Sequence, residues 1–270
     1  MIRITSVSLR ILLILAISIL HLGSGKEVSA RSRLLLTVLY DNYPYKKGLI
    51  ARNGFSCIIR GSEKTVLFDT GGEADVLLYN LKMLNLNPKE IDSIVISHDH
   101  GDHTGGLLSI LELNKKVTVF IPDGFSDHSL TQKISAYRAK TVIVKQPTLI
   151  CRGVFSTGSM QGQGVYEQSL ILNTKHGLIL ISGCAHPGIS NIIEKSISIF
   201  KKRTLFVFGG FHLKSASDDR INEVLRKFVS YGVRAVGGSH CTGARALQLF
   251  KATYGKNYKQ MGVGKTVTLR

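Results

Sequence analysis

Five side chains that can bind a metal follow one apolar stretch of the sequence. The stretch reads SIVISHDHGDHTGG (93–106), and within six positions it places His98, Asp99, His100, Asp102 and His103. Unpaired polar groups are costly at the end of a buried strand, and capping of a helix near Thr104 would account for one carboxylate but not for three imidazoles. The spacing therefore predicts a metal site, in which His98 and His100 face one ion while Asp102 and His103 face a second.

One more histidine follows an apolar strand in the second half of the chain. His212 lies in GGFHL (209–213), after two glycines that let a ligand approach the backbone closely. This position predicts contact with a substrate phosphate or carboxylate, or proton donation, and metal ligation by His212 stays open. His128 and His176, in irregular and turn sequence, are predicted to be exposed to solvent.

Alternating strands and helices must position these side chains. Strands or hairpins are predicted at 34–42, 54–72, 90–97, 116–123, 168–183, 204–211 and 234–240, and helices at 73–85, 105–114, 189–202, 218–232 and 242–255. Asp218 is predicted to cap its helix. Residues 122–166 are the least regular, which suggests an insertion or lid over the site. Two strand-rich halves with helices outside predict an α/β fold, a four-layer αββα sandwich.

Composition limits the classes of partner. The chain has 270 residues, 44% of them hydrophobic, and a formal net charge of +17 that would attract an anionic substrate. Its lysines and arginines are scattered and no nucleic-acid motif accompanies them, so no nucleic-acid partner is expected. There is no GxGxxG or GxxxxGK nucleotide motif. Four widely spaced cysteines are too sparse for a disulfide scaffold or a zinc finger.

The first thirty residues differ from the remainder. Arg3 and Arg10 precede or flank the apolar run ILLILAISIL (11–20), and VSA (28–30) has small residues where a signal peptidase cleaves. We therefore predict a signal peptide or N-terminal anchor at 1–30, one domain at 31–270, and export to the periplasm or outside the cell. An over-extended start site is the alternative. Membrane contact is expected only through an uncleaved N-terminal segment.

Several motifs resemble one known family. HDHGDH (98–103) resembles the HxHxDH signature of the metallo-β-lactamase fold superfamily, and LFDTGG (67–72) is similar to the aspartate motif that precedes it. Within that superfamily, GFS, SGCAHPGI (182–189), GGFHL and SHCTG (239–243) resemble the branch of dihydropterin ribofuranosylaminobenzene phosphate synthase-like metallo-hydrolases. The resemblance runs from about Leu34 to the C-terminus.

The resemblance implies a role for each residue of a binuclear centre. It implies one metal ion bound by His98, His100 and His186 and a second bound by Asp102, His103 and His240. It also implies that Asp69 orients the ligands or the reacting water, although capping of the DTGG turn is the simpler alternative. Asp69, Asp102 and His212 are thus the candidates for roles in catalysis.

Two departures from the family pattern stand out. Cys184 lies where many members have a metal-bridging aspartate, and we expect it to be a small buried residue rather than a thiolate ligand. Arg52 and Asn53 replace a Glu-His pair that tends to precede GFS in the branch. Glu167 resembles an acidic position of the branch, and whether it lines the site stays open.

The predicted function is that of a metal-dependent hydrolase. Two divalent ions, zinc first and iron or manganese as alternatives, would activate a water against a small anionic, phosphorylated substrate. Two rivals stay open: an iron-dependent oxidoreductase on the same fold, and a protein that binds a metal and an anion without turnover. The missing bridging aspartate is the best support for the second rival.

Overall fold

The computed structural model describes residues 33–269, which form two large sheets and a small one. Within this range the first sheet has the order β15-β1-β2-β3-β4-β5-β6, and the second has the order β14-β13-β12-β11-β8-β7. The strands of the first are β1 (Leu34–Tyr40), β2 (Ser56–Arg60), β3 (Val66–Phe68), β4 (Ser93–Val95), β5 (Thr118–Pro122), β6 (Lys140–Val144) and β15 (Thr266–Leu269). Those of the second are β7 (Thr148–Cys151), β8 (Val154–Ser156), β11 (Leu170–Thr174), β12 (Gly177–Ser182), β13 (Thr204–Gly210) and β14 (Ala235–Ser239). The small sheet pairs β9 (Met160–Gly162) with β10 (Val165–Glu167).

Seven α-helices accompany these strands in the described range. They are α1 (Ala74–Met83), α2 (Gly101–Thr104), α3 (Leu107–Leu113), α4 (His128–Ala136), α5 (Ile189–Phe200), α6 (Asp218–Ser230) and α7 (Ala244–Tyr254). Three short 3-10 helices lie at Pro88–Glu90, His240–Thr242 and Gly255–Asn257. The predicted cap of α6 was wrong by one residue: Ser217 is the N-cap, and its side chain accepts a hydrogen bond from Arg220 N.

Three apolar layers hold the sheets and helices together. Between the sheets, Phe68 and Val95 of the first pack with Ile181 and Phe208 of the second. A second layer joins the outer face of the first sheet to α1, α3 and α4. A third joins the second sheet to α5, α6 and α7. The predicted four-layer αββα sandwich is therefore confirmed.

The prediction that 122–166 is irregular was wrong, and its reading as an insertion or lid stays a prediction. This segment carries α4 and the strands β6 to β9, and β6 and β7 are edge strands of the two large sheets. Buried and exposed residues do not alternate along β6, in which only Val144 is fully buried. Edge strands of this kind leave a weak hydrophobic pattern in the sequence.

The export segment predicted at 1–30 lies beyond the described residues. Across 33–269, no helix has the length and apolar character needed to cross a membrane.

Parallel strands decide where the polar loops meet. β3, β4, β5 and β6 run parallel in the first sheet, and β12, β13 and β14 run parallel in the second. The carboxyl ends of neighbouring parallel strands lie at one edge of a sheet. Close backbone packing brings the loops of the first sheet together: a Cβ on Gly105 would lie 2.0 Å from Gly72 O.

Candidate metal centre

Both sheets contribute histidines to a single cluster at the carboxyl ends of their strands. His98 follows β4 in the first sheet, while His186, His212 and His240 follow β12, β13 and β14 in the second. The ring centroid of His98 lies 4.9 Å from that of His186, and the rings of His103 and His240 are 5.0 Å apart. The structure thus brings together histidines separated by more than a hundred residues in the chain.

The two halves of the cluster have the membership that the resemblance implies. His98 Nε2 lies 3.1 Å from His100 Nδ1, and the rings of His100 and His186 are 4.9 Å apart. In the other half, Asp102 Oδ1 is 3.8 Å from His103 Nε2 and its Oδ2 is 3.4 Å from His240 Nε2. His100 is exposed and Asp102 partly so, which puts them on the solvent side. Metal binding by these six residues stays a prediction.

Asp69 lies behind the cluster and orients two histidines. Its Oδ2 is 2.7 Å from His103 Nδ1 and accepts from the Ser97 hydroxyl at 2.7 Å. The Ser97 hydroxyl is also 2.8 Å from His98 Nδ1. Both rings therefore direct Nε2 forward into the cluster. Burial alone would lower the pKa of His103, but the carboxylate of Asp69 raises it, to about 9.

The predicted alternative for Asp69, a simple turn cap, leaves these contacts unexplained. Asp69 is fully buried, and a Cβ on Gly183 would lie 3.0 Å from its Oδ2 and 2.2 Å from Ser97 Oγ. The end of β12 can therefore approach Asp69 only with glycine at this position. Asp69 itself has a φ of 56°, a left-handed conformation that is uncommon outside glycine.

His240 is oriented from the first sheet by residues that the sequence did not single out. Its Nδ1 lies 2.7 Å from Asn42 Oδ1, and its backbone N–H donates to Asp41 Oδ1. Asn42 in turn donates to Asn53 Oδ1, and Asn53 donates to Asp102 Oδ2 at 3.0 Å. Asn53, at the position where the family pattern has a different residue, therefore helps to position a predicted ligand.

Cys184 lies at the centre of the candidate ligand atoms. Its Sγ belongs to two groups whose ligand atoms all lie within 4.8 Å of one another: His98, Cys184 and His186, and His103, Cys184 and His240. Its distance to His103 Nε2 is 3.3 Å. The expectation that Cys184 only fills space does not account for this placement, in which its sulfur belongs to both groups.

Three of the buried imidazoles, those of His98, His186 and His240, are in the protonation state that suits metal binding. Burial, followed by the neighbouring His212 and His100, lowers the pKa of His186 to about 4. Burial and His103 lower the pKa of His240 to about 3, and burial also lowers the pKa of His98. Neutral imidazole is the form that binds a metal ion.

Buried nitrogen atoms without partners support the same conclusion. Among the described residues, neither ring nitrogen of His186 has a hydrogen-bond partner, and His240 Nε2 has none either. Such atoms are rare in folded proteins because they cost free energy. With a thiol and several neutral imidazoles around them, these residues fit a divalent metal ion.

Comparison with known proteins identifies the family. Residues 49–168 match the family model of the metallo-beta-lactamase superfamily. A protein of Methanocaldococcus jannaschii, 7,8-dihydropterin-6-methyl-4-(beta-D-ribofuranosyl)-aminobenzene-5'-phosphate synthase, is 30% identical, over 86% of this chain and 95% of the synthase. This chain belongs to the metallo-beta-lactamase superfamily. The motif-based resemblance is therefore confirmed, including the branch.

Solved structures of the superfamily share the fold. Tm1679, a metal-dependent hydrolase of the beta-lactamase superfamily, has a TM-score of 0.74 and 29% identity, covering 87% of this chain and 98% of Tm1679. YhfI from Bacillus subtilis, at 13% identity and a TM-score of 0.64, covers 87% of this chain and 99% of its own and matches in fold alone. Superfamily members of this fold usually bind divalent metals, and the His and Cys groups are where such ions would bind here.

Glu167 contacts the backbone of the loop that carries Cys184 and His186. Whether Glu167 lines the site was left open by the sequence. Its carboxylate accepts three backbone N–H groups, from Cys184 at 3.0 Å, Ala185 at 2.8 Å and His186 at 2.7 Å. Burial raises the pKa of Glu167 to about 7, although these three hydrogen bonds lower it. Glu167 therefore fixes the loop that carries the candidate ligands Cys184 and His186. Between them, Ala185 has a left-handed φ of 64°.

His212 and Cys241 form a third group beside the superfamily site. Together with Cys184 their ligand atoms lie within 4.8 Å, and the ring of His212 is 4.4 Å from that of His186. Hydrogen bonds with Cys184 and His212 lower the pKa of Cys241 to about 5. Cys241 was not predicted from the sequence, although its position directly after His240 in SHCTG is a signal that could have indicated it.

Other polar residues of the sequence lie away from the centre. Asp99 turns to the neighbouring loop, where its Oδ2 accepts from Ser126 N at 2.9 Å, so it is separate from the ligands. His128 and His176 are exposed, as predicted.

Proposed function

We propose that this protein is a binuclear metal-dependent hydrolase that acts on a small anionic, phosphorylated substrate. The observation that carries the proposal is the pair of ligand groups that share Cys184 Sγ. With metal bound, the Cys184 sulfur would supply the ligand that the missing aspartate gives in other members, and this would weaken the main support for a binding protein without turnover. The strongly positive charge of the chain favours an anionic substrate.

The residues would divide the metal-binding work between two positions. His98, His100 and His186 would hold one ion, Asp102, His103 and His240 the other, and Cys184 both. Divalent ions supply Lewis-acid chemistry, in which they polarise a substrate oxygen and acidify water, and zinc is the first expectation. Asp69 keeps His103 in the tautomer that presents Nε2.

His212 is the residue best placed to act on the substrate. It is exposed, unlike His98, His103, His186 and His240, and its ring lies beside that of His186. His212 has a φ of 52°, a left-handed conformation that is uncommon outside glycine. We propose that the His212 imidazole gives a proton to the leaving group or hydrogen-bonds the phosphate.

The name of the 30% identical relative supports a phosphorylated substrate, because its product carries a 5'-phosphate. That name also says synthase, so bond formation on a phosphorylated compound is the second candidate function for the same site.

Metal stoichiometry of matched variants tests the proposal. We expect two ions per chain in protein lacking residues 1–30, one ion after His186→Ala or His240→Ala, and weakened binding of both after Cys184→Ala. Cys151→Ala and His128→Ala, which change the same residue types away from the centre, should keep two. A screen of phosphomonoesters, phosphodiesters and lactones identifies the reaction. A wild-type chain with one ion, or hydrolysis that survives chelation, would contradict the proposal.

A further inference from the structure

A cavity of about 460 Å³ adjoins the candidate metal centre on the side of the second sheet. It lies between the start of α5, the loop after β13 and one face of α6. Ala185 and His212 line it, and they also border the metal centre. A ligand in this cavity would therefore reach the loop that carries Cys184 and His186.

The first turn of α5 presents unused hydrogen-bond donors to the cavity. The N-cap is Gly188, which has a φ of 91° and offers no side chain to cap the helix. In the described range the backbone N–H groups of Ile189 and Ser190 have no acceptor, since the bonds of this turn begin at Asn191. Free N–H groups and the helix dipole both favour an anion at such an end.

Ser190 gives an independent sign of a missing ligand. Ser190 lines the cavity and is only 6% exposed, and its buried Oγ has no hydrogen-bond partner among the described residues. A buried hydroxyl without a partner costs free energy, and a bound acceptor would remove that cost. An anion at the helix end would accept from the hydroxyl and the two backbone N–H groups together.

The opposite wall of the cavity is cationic. Arg220 and Lys227 line it from α6. Both pair with Glu223, with Arg220 Nη1 at 2.5 Å and Lys227 Nζ at 3.5 Å, but these side chains are 41–52% exposed. Exposed pairs of this kind are worth little. Two cations against one carboxylate leave a net positive charge that is free to meet an anion.

We infer that this cavity binds a phosphate group at the first turn of α5. This would be a second phosphate of the substrate, in the part of the molecule that is not cleaved. The inference rests on the proposed hydrolase function, because it assigns the bound phosphate to the substrate of that reaction. It makes Ser190 and Arg220 specificity-determining residues. A substrate would then span from the metal centre past His212 into the cavity, so the enzyme would select molecules with a second anionic group.

Calorimetric titration with inorganic phosphate tests the cavity directly. We expect one metal-independent phosphate site, present both in metal-loaded protein and after treatment with EDTA. Ser190→Asp should abolish this site, whereas Ser198→Asp, which adds the same charge near the other end of α5, should keep it. Because Ser190 is buried, Arg220→Gln serves as a second variant, expected to weaken phosphate binding roughly tenfold. Its control is Arg226→Gln, an exposed arginine of the same helix that does not line the cavity.

Kinetics separate substrate phosphate from free phosphate. Arg220→Gln should raise KM roughly tenfold for substrates with a second phosphate and leave kcat and the KM of singly charged substrates unchanged. Phosphate that binds only to metal-loaded protein, or equally well to Ser190→Asp and Arg220→Gln, would overturn the inference and leave the hydrolase proposal intact. The opposite outcome is also distinguishable. If the protein bound no metal and hydrolysed nothing, but lost its phosphate site in these two variants, the cavity would remain an anion site and the hydrolase proposal would be refuted.

Discussion

At the scale of single residues, Asp69 is the group on which the ligand geometry depends most. It reaches His103 directly and His98 through the Ser97 hydroxyl. We expect Asp69→Asn to weaken metal affinity about 10–100-fold, because an amide carries no charge to raise the basicity of His103 and cannot accept at both positions. Competition with a chromophoric chelator measures this affinity.

The matched control for Asp69 is Asp127→Asn. Asp127 caps α4, where its Oδ1 accepts from Leu130 N, and asparagine is an equally good cap. Metal affinity should not change in this variant. If Asp69→Asn bound metal as tightly as the control, Asp69 would serve the DTGG turn and not the ligands.

His212 allows a second residue-scale prediction, in which the leaving group is the probe. If His212 donates a proton, His212→Ala should lower kcat about a hundredfold for alkyl esters, whose leaving groups need protonation. The loss should be much smaller for aryl esters with acidic leaving groups, and the metal content should stay at two. An equal loss on both classes of ester would exclude proton donation. Loss of one ion would make His212 a ligand.

At the scale of elements, Glu167 at the end of β10 ties the small sheet to the loop after β12. Glu167→Gln would turn one of its acceptor oxygens into an NH₂ group and leave at least one of the three N–H donors unpaired. We expect the free energy of unfolding to fall by about 1–3 kcal/mol, measured by urea denaturation. Metal affinity should fall as well, because the backbone that carries Cys184 and His186 loosens.

Glu112→Gln provides the comparison for this element. Glu112 is an exposed residue of α3, so the same change of charge should leave stability within about 0.5 kcal/mol. If Glu167→Gln matched Glu112→Gln in both measurements, the loop would be held by its own backbone and not by Glu167.

Elements with strong periodicity are the part of this fold that the sequence predicts well. In α6, Ile221, Val224, Leu225 and Phe228 follow helical spacing and all are buried, so the helix is evident from the sequence. Its first residue is harder to predict, because both Ser217 and Asp218 are good caps and only local backbone geometry selects Ser217. Residues 140–144 are mostly exposed on an edge strand, and their weak pattern hides a regular strand.

The candidate ligands of the site can be predicted from the sequence, but the groups that support them cannot. Histidines after apolar strands point to the centre because parallel strand ends meet at one edge. Asn42, by contrast, lies 198 positions from His240, and nothing local marks it as a partner. The role of Cys184 depends on distances between three loops, which spacing in the sequence does not contain.

At the scale of the whole molecule, the last strand of the described chain pairs with the first. β1 lies between β15 and β2, with Leu34 opposite Leu269 and Leu36 opposite both Val267 and Ile59. Leu34 and Leu36 are buried between the sheets. The start of β1 therefore joins β15 to the rest of the first sheet.

This position predicts where the N-terminus of the working protein lies. A chain that starts at Arg31 should keep the metal content and the unfolding midpoint of the full chain, because β1 begins only at Leu34. A chain that starts at Thr37 loses two buried leucines, a loss of about 3–6 kcal/mol that is comparable to the whole stability of many domains.

Mass spectrometry of protein from the native host should find an N-terminus near Arg31 in an exported fraction, as a cleaved signal peptide requires. Full-length protein confined to the soluble cytoplasm would contradict export, and an Arg31 chain that fails to fold would extend the domain into the first thirty residues.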